Sequence, residues 1–393
     1  MFFIFFKRKI EAFIDELFHF FKFLLPEKEL IILDDLYPHP ISVFRNIEFQ
    51  AYLNSFDKVS IYSSGDALDA VHDNRNIGEV IRSYDKQVLQ FTHHKLLKSK
   101  LIYSLFLNVT YGFLPYIERN RVPFVFTLYP GGGFYLNDKQ SDERLRVIFG
   151  SSYFRKVIVT QKITRDYLLE KKMCEPGCIE FVYGVVCAPH IKSVWQDKLF
   201  YTKDKSTFDI CFIANKNMEK GYDKGYDLFI DSVRDLCFTY SDVRIHVIGP
   251  YDESDYDVRG MKVQFHGFMN QNQFLTFFQD KDIILSPNRA FVLHPGAFDG
   301  FPTGSCTEAS ACGVAMFISD PLNLNVVYQD TLDCLLVENE VDWISDRLKY
   351  YHNNPDELYE MAYNGFNKTH SVYGVESQIR PRVELLKKEL SRV

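Results

Sequence analysis

At 393 residues the chain exceeds one ordinary domain, so two packed domains are expected. Apolar residues make up 46% of it and charged residues 25%, a globular rather than a disordered composition. A formal net charge of −7 and the lack of a long basic run exclude an ordinary nucleic-acid binder.

The first 26 residues, "MFFIFFKRKIEAFIDELFHFFKFLLP", crowd phenylalanines ahead of Pro26. They do not read as a secretory signal, because Lys7, Arg8 and Lys9 follow the first apolar run and no small-residue cleavage site comes after. Glu11, Asp15 and Glu16 interrupt the ~20 apolar residues that a bilayer span needs. Ile10, Phe13, Ile14, Leu17, Phe20, Phe21 and Leu24 recur at helical spacing, which predicts an amphipathic helix. Such a helix either docks on its own domain or lies on a membrane with its basic residues against anionic headgroups. The phenylalanine tip favours the membrane, because so much aromatic surface needs a partner.

From residue 27 to 195 short apolar runs alternate with helical patterns. "ELIILDDL", "KVSIYSS", "QVLQFT", "PFVFTLY", "KVIVTQ" and "IEFVYG" read as strands, with "SKLIYSLFLNVTYGFLPYIER" and "ITRDYLLEKK" as helices between them. "APHIKSVWQDKLFYTKDKST", residues 188–207, breaks the pattern and reads as a linker. The alternation restarts over 196–375, with strands in "FDICFIA", "VRIHVIG", "KVQFHG", "DIILSP", "AMFISD" and "CLLVE". Helices close the chain, the last over 376–393 and expected to cross back onto the first domain. The expected fold class is α/β, with two doubly wound Rossmann-like domains facing across a cleft. Neither half carries G-x-G-x-x-G after its first strand, which argues against an ordinary NAD or FAD dehydrogenase. Eight scattered cysteines, several inside apolar runs, read as free thiols of a reducing compartment. The pair Cys174 and Cys178 has no second pair to complete a zinc site.

The stretch "FDGFPTGSCTEASACGVAMFISD", 298–320, carries the chemistry. Gly300, Phe301, Thr303, Gly304 and Ser305 offer backbone N–H groups before a helix, and Pro302 offers none. A helix N-terminus with exposed N–H groups favours phosphate. Glu308, in the first turns, could take the two hydroxyls of a ribose, and Asp299 a sugar hydroxyl. On local physics alone, a helix-dipole acid and a turn cap fit the same residues equally well. After the first strand of the second half, Lys216, Lys220 and Lys224 cluster around a short duplication, "KGYDKGYD". Such a loop reads as solvated surface on its own, but it lies at the same sheet edge as the acid loop. In the first half Tyr129 ends a strand before Gly131, Gly132 and Gly133, a run that either approaches a diphosphate closely or is a flexible turn. His39, Arg45, Glu48, His93 and His94 follow strands on the cleft side and are acceptor-side candidates, although His93 and His94 read more readily as surface residues.

From Phe208 onward the ordered elements resemble the donor domain of the retaining GT-B glycosyltransferases of family 4: Lys216, "KGYD" at 224–227, "HVIG", "VQFHGF", "ILSP", an acid-Gly-Phe loop and "EASACGVAMFISD". The first half resembles the family only in outline. The resemblance implies that Glu308 binds the ribose, that Asp299 binds the transferred sugar, and that Lys216 and Lys224 neutralise the diphosphate. It implies no metal and no cofactor, with a UDP- or GDP-sugar as donor and a lipid-linked or other saccharide as acceptor. A cytoplasmic enzyme of polysaccharide biosynthesis, peripheral on the membrane through its N-terminal helix, is the expected protein. Two departures stand out. Eight residues separate Asp299 from Glu308, where the family has seven between two acids, and Tyr129 stands where it often has a histidine. They keep open a non-catalytic nucleotide-sugar-binding subunit; the other alternative, another GT-B enzyme such as a sugar-nucleotide epimerase, is disfavoured by the family-like acid loop.

Overall fold

A computed structural model describes residues 20–38, 42–64, 87–93, 95–187, 195–269 and 271–392. Most of the N-terminal phenylalanine segment, His39 and His94 thus lie outside the described residues, as does the linker's 188–194 stretch. Residues 20–24 are helical. Lys98 closes that turn, donating from Nζ to the carbonyls of Phe23 and Leu25 at 2.7 and 2.8 Å.

The first domain runs β1 (Lys28–Asp34), α1 (Val43–Ser55), β2 (Val59–Ser63), β3 (Val88–Gln90), β4 (Ser99–Leu105), α2 (Leu107–Asn120), β5 (Phe124–Leu128), α3 (Lys139–Gly150), β6 (Phe154–Val159), α4 (Lys162–Glu170) and β7 (Ile179–Phe181). Its parallel sheet has the order β3-β2-β1-β4-β5-β6-β7. The central strands are covered on both faces. Leu30, Ile31, Ile32 and Leu33 are all within 1% of complete burial, so β1 reads as an unbroken apolar run rather than an alternating one. The helix expected to begin at Ser99 is one sequence expectation that fails. The run beginning Ser99 is not helix at its start but β4, which pairs with both β1 and β5 at the centre of the sheet. Phe106, at φ 64°, then turns the chain into α2. Strand and buried helix have the same apolar look here, and no polar break separates them.

The second domain follows with β8 (Phe208–Ile213), α5 (Tyr226–Thr239), β9 (Val243–Ile248), β10 (Val263–Phe265), α6 (Gln271–Phe278), β11 (Ile283–Ser286), α7 (Gly304–Ala311), β12 (Ala315–Ile318) and β13 (Leu335–Leu336). The strands pair in parallel in the order β10-β9-β8-β11-β12-β13. In both sheets the order reverses beside the first strand, which opens a crevice at the carboxyl ends. Three helices close the chain: α8 (Val341–Asn353), α9 (Pro355–Tyr373) and α10 (Val375–Leu390).

Helix α10 returns to the first domain. Leu385 and Leu386 join the core under β1 and β4, and Gln378 donates to the Tyr183 carbonyl at 2.7 Å. Arg382, fully buried, reaches the Tyr129 hydroxyl at 3.4 Å and the Glu48 carboxylate at 4.0 Å. Glu48 also accepts from Tyr52 at 2.8 Å, from Tyr129 at 3.0 Å and from Tyr103. Burial first, and then the Glu48 charge, hold these three phenols protonated well above the usual tyrosine range. The last helix is therefore joined to α1, β4 and the end of β5 by one buried polar network.

Candidate active site

The loops after β8 and β11 build one wall. A 3₁₀ segment, Glu219–Lys224, ends at Gly225, whose φ of 68° and lack of a side chain let it press on Pro287; a Cβ there would meet the Pro287 carbonyl at 2.0 Å. Arg289 fastens the two loops together. Its N–H donates to the Asp223 carbonyl at 3.0 Å, its guanidinium grips Asp227 at 2.6 and 2.7 Å, and its plane lies 4.0 Å from the Tyr222 ring centre. Lys224 is thereby held with Nζ at 2.8 and 2.7 Å from the two oxygens of Asp299 and 3.7 Å from Asp223. Asn288 donates to Asp299 from the other side at 3.1 Å.

The Gly-rich loop after β5 builds the facing wall. Gly132 lies against Phe106 so closely that a Cβ would stand 2.5 Å from its ring, and its carbonyl accepts from the Asn108 N–H at 2.9 Å. Gly131, Gly132 and Tyr135 face Lys224, Asp299 and His294 across an interdomain cleft of about 480 Å³. One end of this cleft is closed by the Tyr135 and His294 rings, stacked at 4.3 Å, and by the Leu136 N–H donating to the Gly296 carbonyl at 2.9 Å. A second contact between the domains lies at Phe301, whose carbonyl accepts from the Tyr183 hydroxyl at 2.8 Å and from Gln161 at 3.4 Å.

Helix α7 opens on this wall. Thr303 caps it, taking the Cys306 N–H on its side chain, so Gly304 and Ser305 carry first-turn N–H groups without an intrahelical acceptor. Gly304 is exposed, and Ser305 donates to the Ile213 carbonyl at the end of β8 at 3.2 Å, which brings the helix start against the lysine loop. Gly300 lines the neighbouring hollow with Asp299 and Thr303. Phe301 and Pro302 do not offer themselves to a ligand: Phe301 is 2% exposed and its N–H faces Gln161. The acid loop spends its middle on joining the domains.

Glu308 lies one turn further, half-buried beside the thiols of Cys187 and Cys312 and with no hydrogen-bond partner among the described residues. Burial alone pushes its carboxyl up to about 7. If the carboxylate takes ribose hydroxyls, nucleotide affinity rises as pH goes from 6 to 8, and binding at pH 7 releases a proton, since a ligand that favours the ionised form lowers the pKa. Titration calorimetry in two buffers of different ionisation enthalpy measures that release. Glu308→Gln is expected to abolish it and to weaken nucleotide about tenfold, the loss of a hydrogen bond to a charged group. The same shift acts on the free protein. The folded pKa exceeds the unfolded one, so stability present below pH 4.5 is lost as pH rises through about 7.

Several candidates sit elsewhere. Lys216 is spent on Asp255, at 3.0 and 2.9 Å, and stands apart from the Lys224–Asp299 pair. Tyr129 and Glu48 belong to the buried network with Arg382, and neither reaches the cleft surface. Arg45 is buried as well, donating to Asp34 and Asp35 at 2.9 Å, where it fixes the turn after β1. Gly133 packs on the Asn108 side chain. His93 pairs with the Tyr116 hydroxyl beside the edge strand β3. A polar residue after a strand looks alike in sequence whether it faces a cleft or the underside of a helix more than 300 residues away. The residues missed for the same reason are Gln161, Tyr183, Arg289, His294 and Arg382. Among the described residues no group of three or more His, Cys, Asp or Glu could hold a metal ion, and all eight cysteines are free thiols.

Two domains of this topology with a cleft between their carboxyl edges define the GT-B class, and comparison with known proteins agrees. Residues 227–381 match the family described as glycosyl transferase-like. Among solved structures, a sucrose-phosphate synthase from Thermosynechococcus elongatus superposes with a TM-score of 0.63 at 12% identity, over 93% of this chain and 100% of its own. Anabaena HepE, solved with UDP and glucose, gives 0.64 at 14%, over 92% of this chain and 100% of its own. A glycosyltransferase from Rickettsia africae gives 0.63 at 14%, with 93% and 100% covered. No curated protein matches the sequence. The chain therefore has the GT-B fold, and its second domain is similar to the glycosyl transferase-like family over residues 227–381.

Proposed function

We propose that the protein is a retaining, family 4-like glycosyltransferase that moves a sugar from a nucleoside diphosphate to a hydroxyl of a lipid-linked saccharide during polysaccharide synthesis. The observation that carries this is the Lys224–Asp299 pair, set in the interdomain cleft beside the open N-terminus of α7. The diphosphate lies on the Gly304 and Ser305 N–H groups. Lys224 leaves Asp299 for the phosphate oxygens, which frees Asp299 to accept from sugar hydroxyls. As the bond from the anomeric carbon to the phosphate oxygen breaks, its electron pair stays with the diphosphate. Once Lys224 has moved to the phosphate, it and the helix dipole stabilise that growing charge without further reorganisation as the bond breaks. The acceptor hydroxyl attacks the same face and passes its proton to the departing phosphate oxygen, and the closed cleft keeps water out. The donor is a UDP- or GDP-sugar, in keeping with the UDP and glucose bound by Anabaena HepE. Neither metal nor cofactor enters the scheme.

The test offers UDP-, GDP- and dTDP-sugars to the purified chain and measures released nucleotide, with and without Glu308→Ala. Turnover that falls with the substitution supports the transferase. Tight nucleotide binding with no turnover on any donor or acceptor identifies the non-catalytic subunit instead.

A cytoplasmic enzyme bound to the membrane face through residues 1–25 fits the same reading. Phe20, Phe21, Phe23 and Leu24 expose more than half of their surface just where the chain enters the domain, and no helix among the described residues is long and apolar enough to cross a membrane. Deleting 1–25 is expected to release the protein from anionic vesicles in a flotation assay while activity on a soluble acceptor stays within about twofold. Loss of the folded state on deletion would show a core helix.

A further inference from the structure

Asp223 has no task in that scheme. It ends the first copy of the tandem Lys-Gly-Tyr-Asp, while Lys224 begins the second. The residue is 3% exposed, and neither of its carboxylate oxygens finds a hydrogen-bond partner. Its neighbouring cation, Lys224, stands 3.7 Å away and is committed to Asp299 at 2.7 Å. Its backbone is pinned, because its carbonyl accepts from Arg289 and the segment before it passes through two left-handed residues, Lys220 and Gly221. The side chain therefore stays on the wall of the interdomain cleft with Lys224 and Asp299. Burial raises its pKa and Asp299 adds to the rise; Lys224 opposes it, as, more weakly, do its own N–H and the Asn217 side chain, neither of which makes a well-formed hydrogen bond to the carboxylate. A buried acid without hydrogen bonds costs the free protein stability, and such a group is retained where a ligand completes it.

We propose that Asp223 and Asp299 together accept hydrogen bonds from the hydroxyls of the transferred sugar, so that this sugar is a neutral, hydroxyl-rich hexose and uronic acids are shut out. The inference rests on the glycosyltransferase reading and deepens it. When the diphosphate draws Lys224 away, two carboxylates remain side by side with acceptors and no donors. Hexose hydroxyls supply the donors. A uronic acid would bring a third negative charge into a half-buried pocket, where like charges repel far more strongly than in water.

The test is calorimetry on the full chain with UDP, UDP-glucose, UDP-galactose and UDP-glucuronate, or with GDP, GDP-mannose and GDP-mannuronate if guanine is the base bound. A neutral hexose is expected to add at least tenfold to the affinity of the bare nucleotide, and the uronate to add nothing. Asp223→Asn is expected to keep bare-nucleotide affinity within twofold, to lose at least tenfold of the hexose gain, and to narrow the discrimination against the uronate. Its thermal midpoint without ligand should equal or exceed that of the parent, because a costly charge is gone. Asp223→Glu, which keeps the charge, should restore part of the hexose gain. An unchanged hexose gain in Asp223→Asn, a uronate bound as tightly as the hexose, or a lowered midpoint with equal loss of bare nucleotide would overturn the proposal. Failure of the parent chain to bind any UDP-, GDP- or dTDP-nucleotide would overturn the transferase reading first, and this inference with it, before any variant is made.

Discussion

Lys224→Ala is expected to lower the rate of sugar transfer about 10²–10³-fold, the usual cost of removing one preorganised group that stabilises developing charge. The free protein holds this ammonium ready at the cleft, bonded to both oxygens of Asp299 and near Asp223. A single-turnover measurement with saturating donor separates the effect from binding, because the charge on the leaving diphosphate is greatest in the transition state. Nucleotide affinity should fall by only about tenfold. A rate within a factor of five of the parent would mean that Lys224 is a structural counter-ion to the two acids. Lys216→Ala makes the informative contrast, since Lys216 pairs with Asp255 and, unlike Lys224, does not line the cleft, so its removal should cost the rate far less.

The second large effect is on stability. Arg382→Met is expected to destabilise the fold by about 3–5 kcal/mol, because it leaves the Glu48 carboxylate buried without its cation. Glu48 has no exposed surface, and its other contacts are three phenols from α1, β4 and the end of β5. Denaturant unfolding reads the loss. Adding Glu48→Gln should recover part of the loss, since the amide keeps a hydrogen-bond acceptor and carries no charge. No recovery in the double variant would point to lost packing of the long Arg382 side chain instead.

The doubly wound architecture was legible because parallel strands covered on both faces leave continuous apolar runs, such as Leu30 to Leu33, spaced by helical patterns. The boundary at Phe106 was not, since an apolar strand runs straight into an apolar helix and only the left-handed φ of one residue separates them. In the site, Lys224, Asp299 and Gly304 could be placed at one sheet edge because each follows a strand and precedes a helix. What the spacing could not say is which way a side chain turns. Glu48 and Tyr129 follow from the same rule as Asp299, yet Arg382, arriving from the last helix, draws them inward. Phe301 sits in the middle of the acid loop but faces Tyr183 and Gln161, whose approach depends on how two separately folded domains meet. The histidine missing after β5 has a counterpart of a kind in the cleft. His294 comes from the opposite domain and stacks on Tyr135, a placement no local pattern encodes.

If the start of α7 and Lys224 form the donor site, a nucleoside diphosphate binds between them, and a crystal structure of the chain with UDP or GDP decides the matter. Phosphate oxygens are expected within hydrogen-bond reach of the Gly304 and Ser305 N–H groups and of Lys224 Nζ, with Lys224 released from Asp299 and the ribose hydroxyls on Glu308. A nucleotide seated elsewhere, with the Lys224–Asp299 pair intact, would rule that site out.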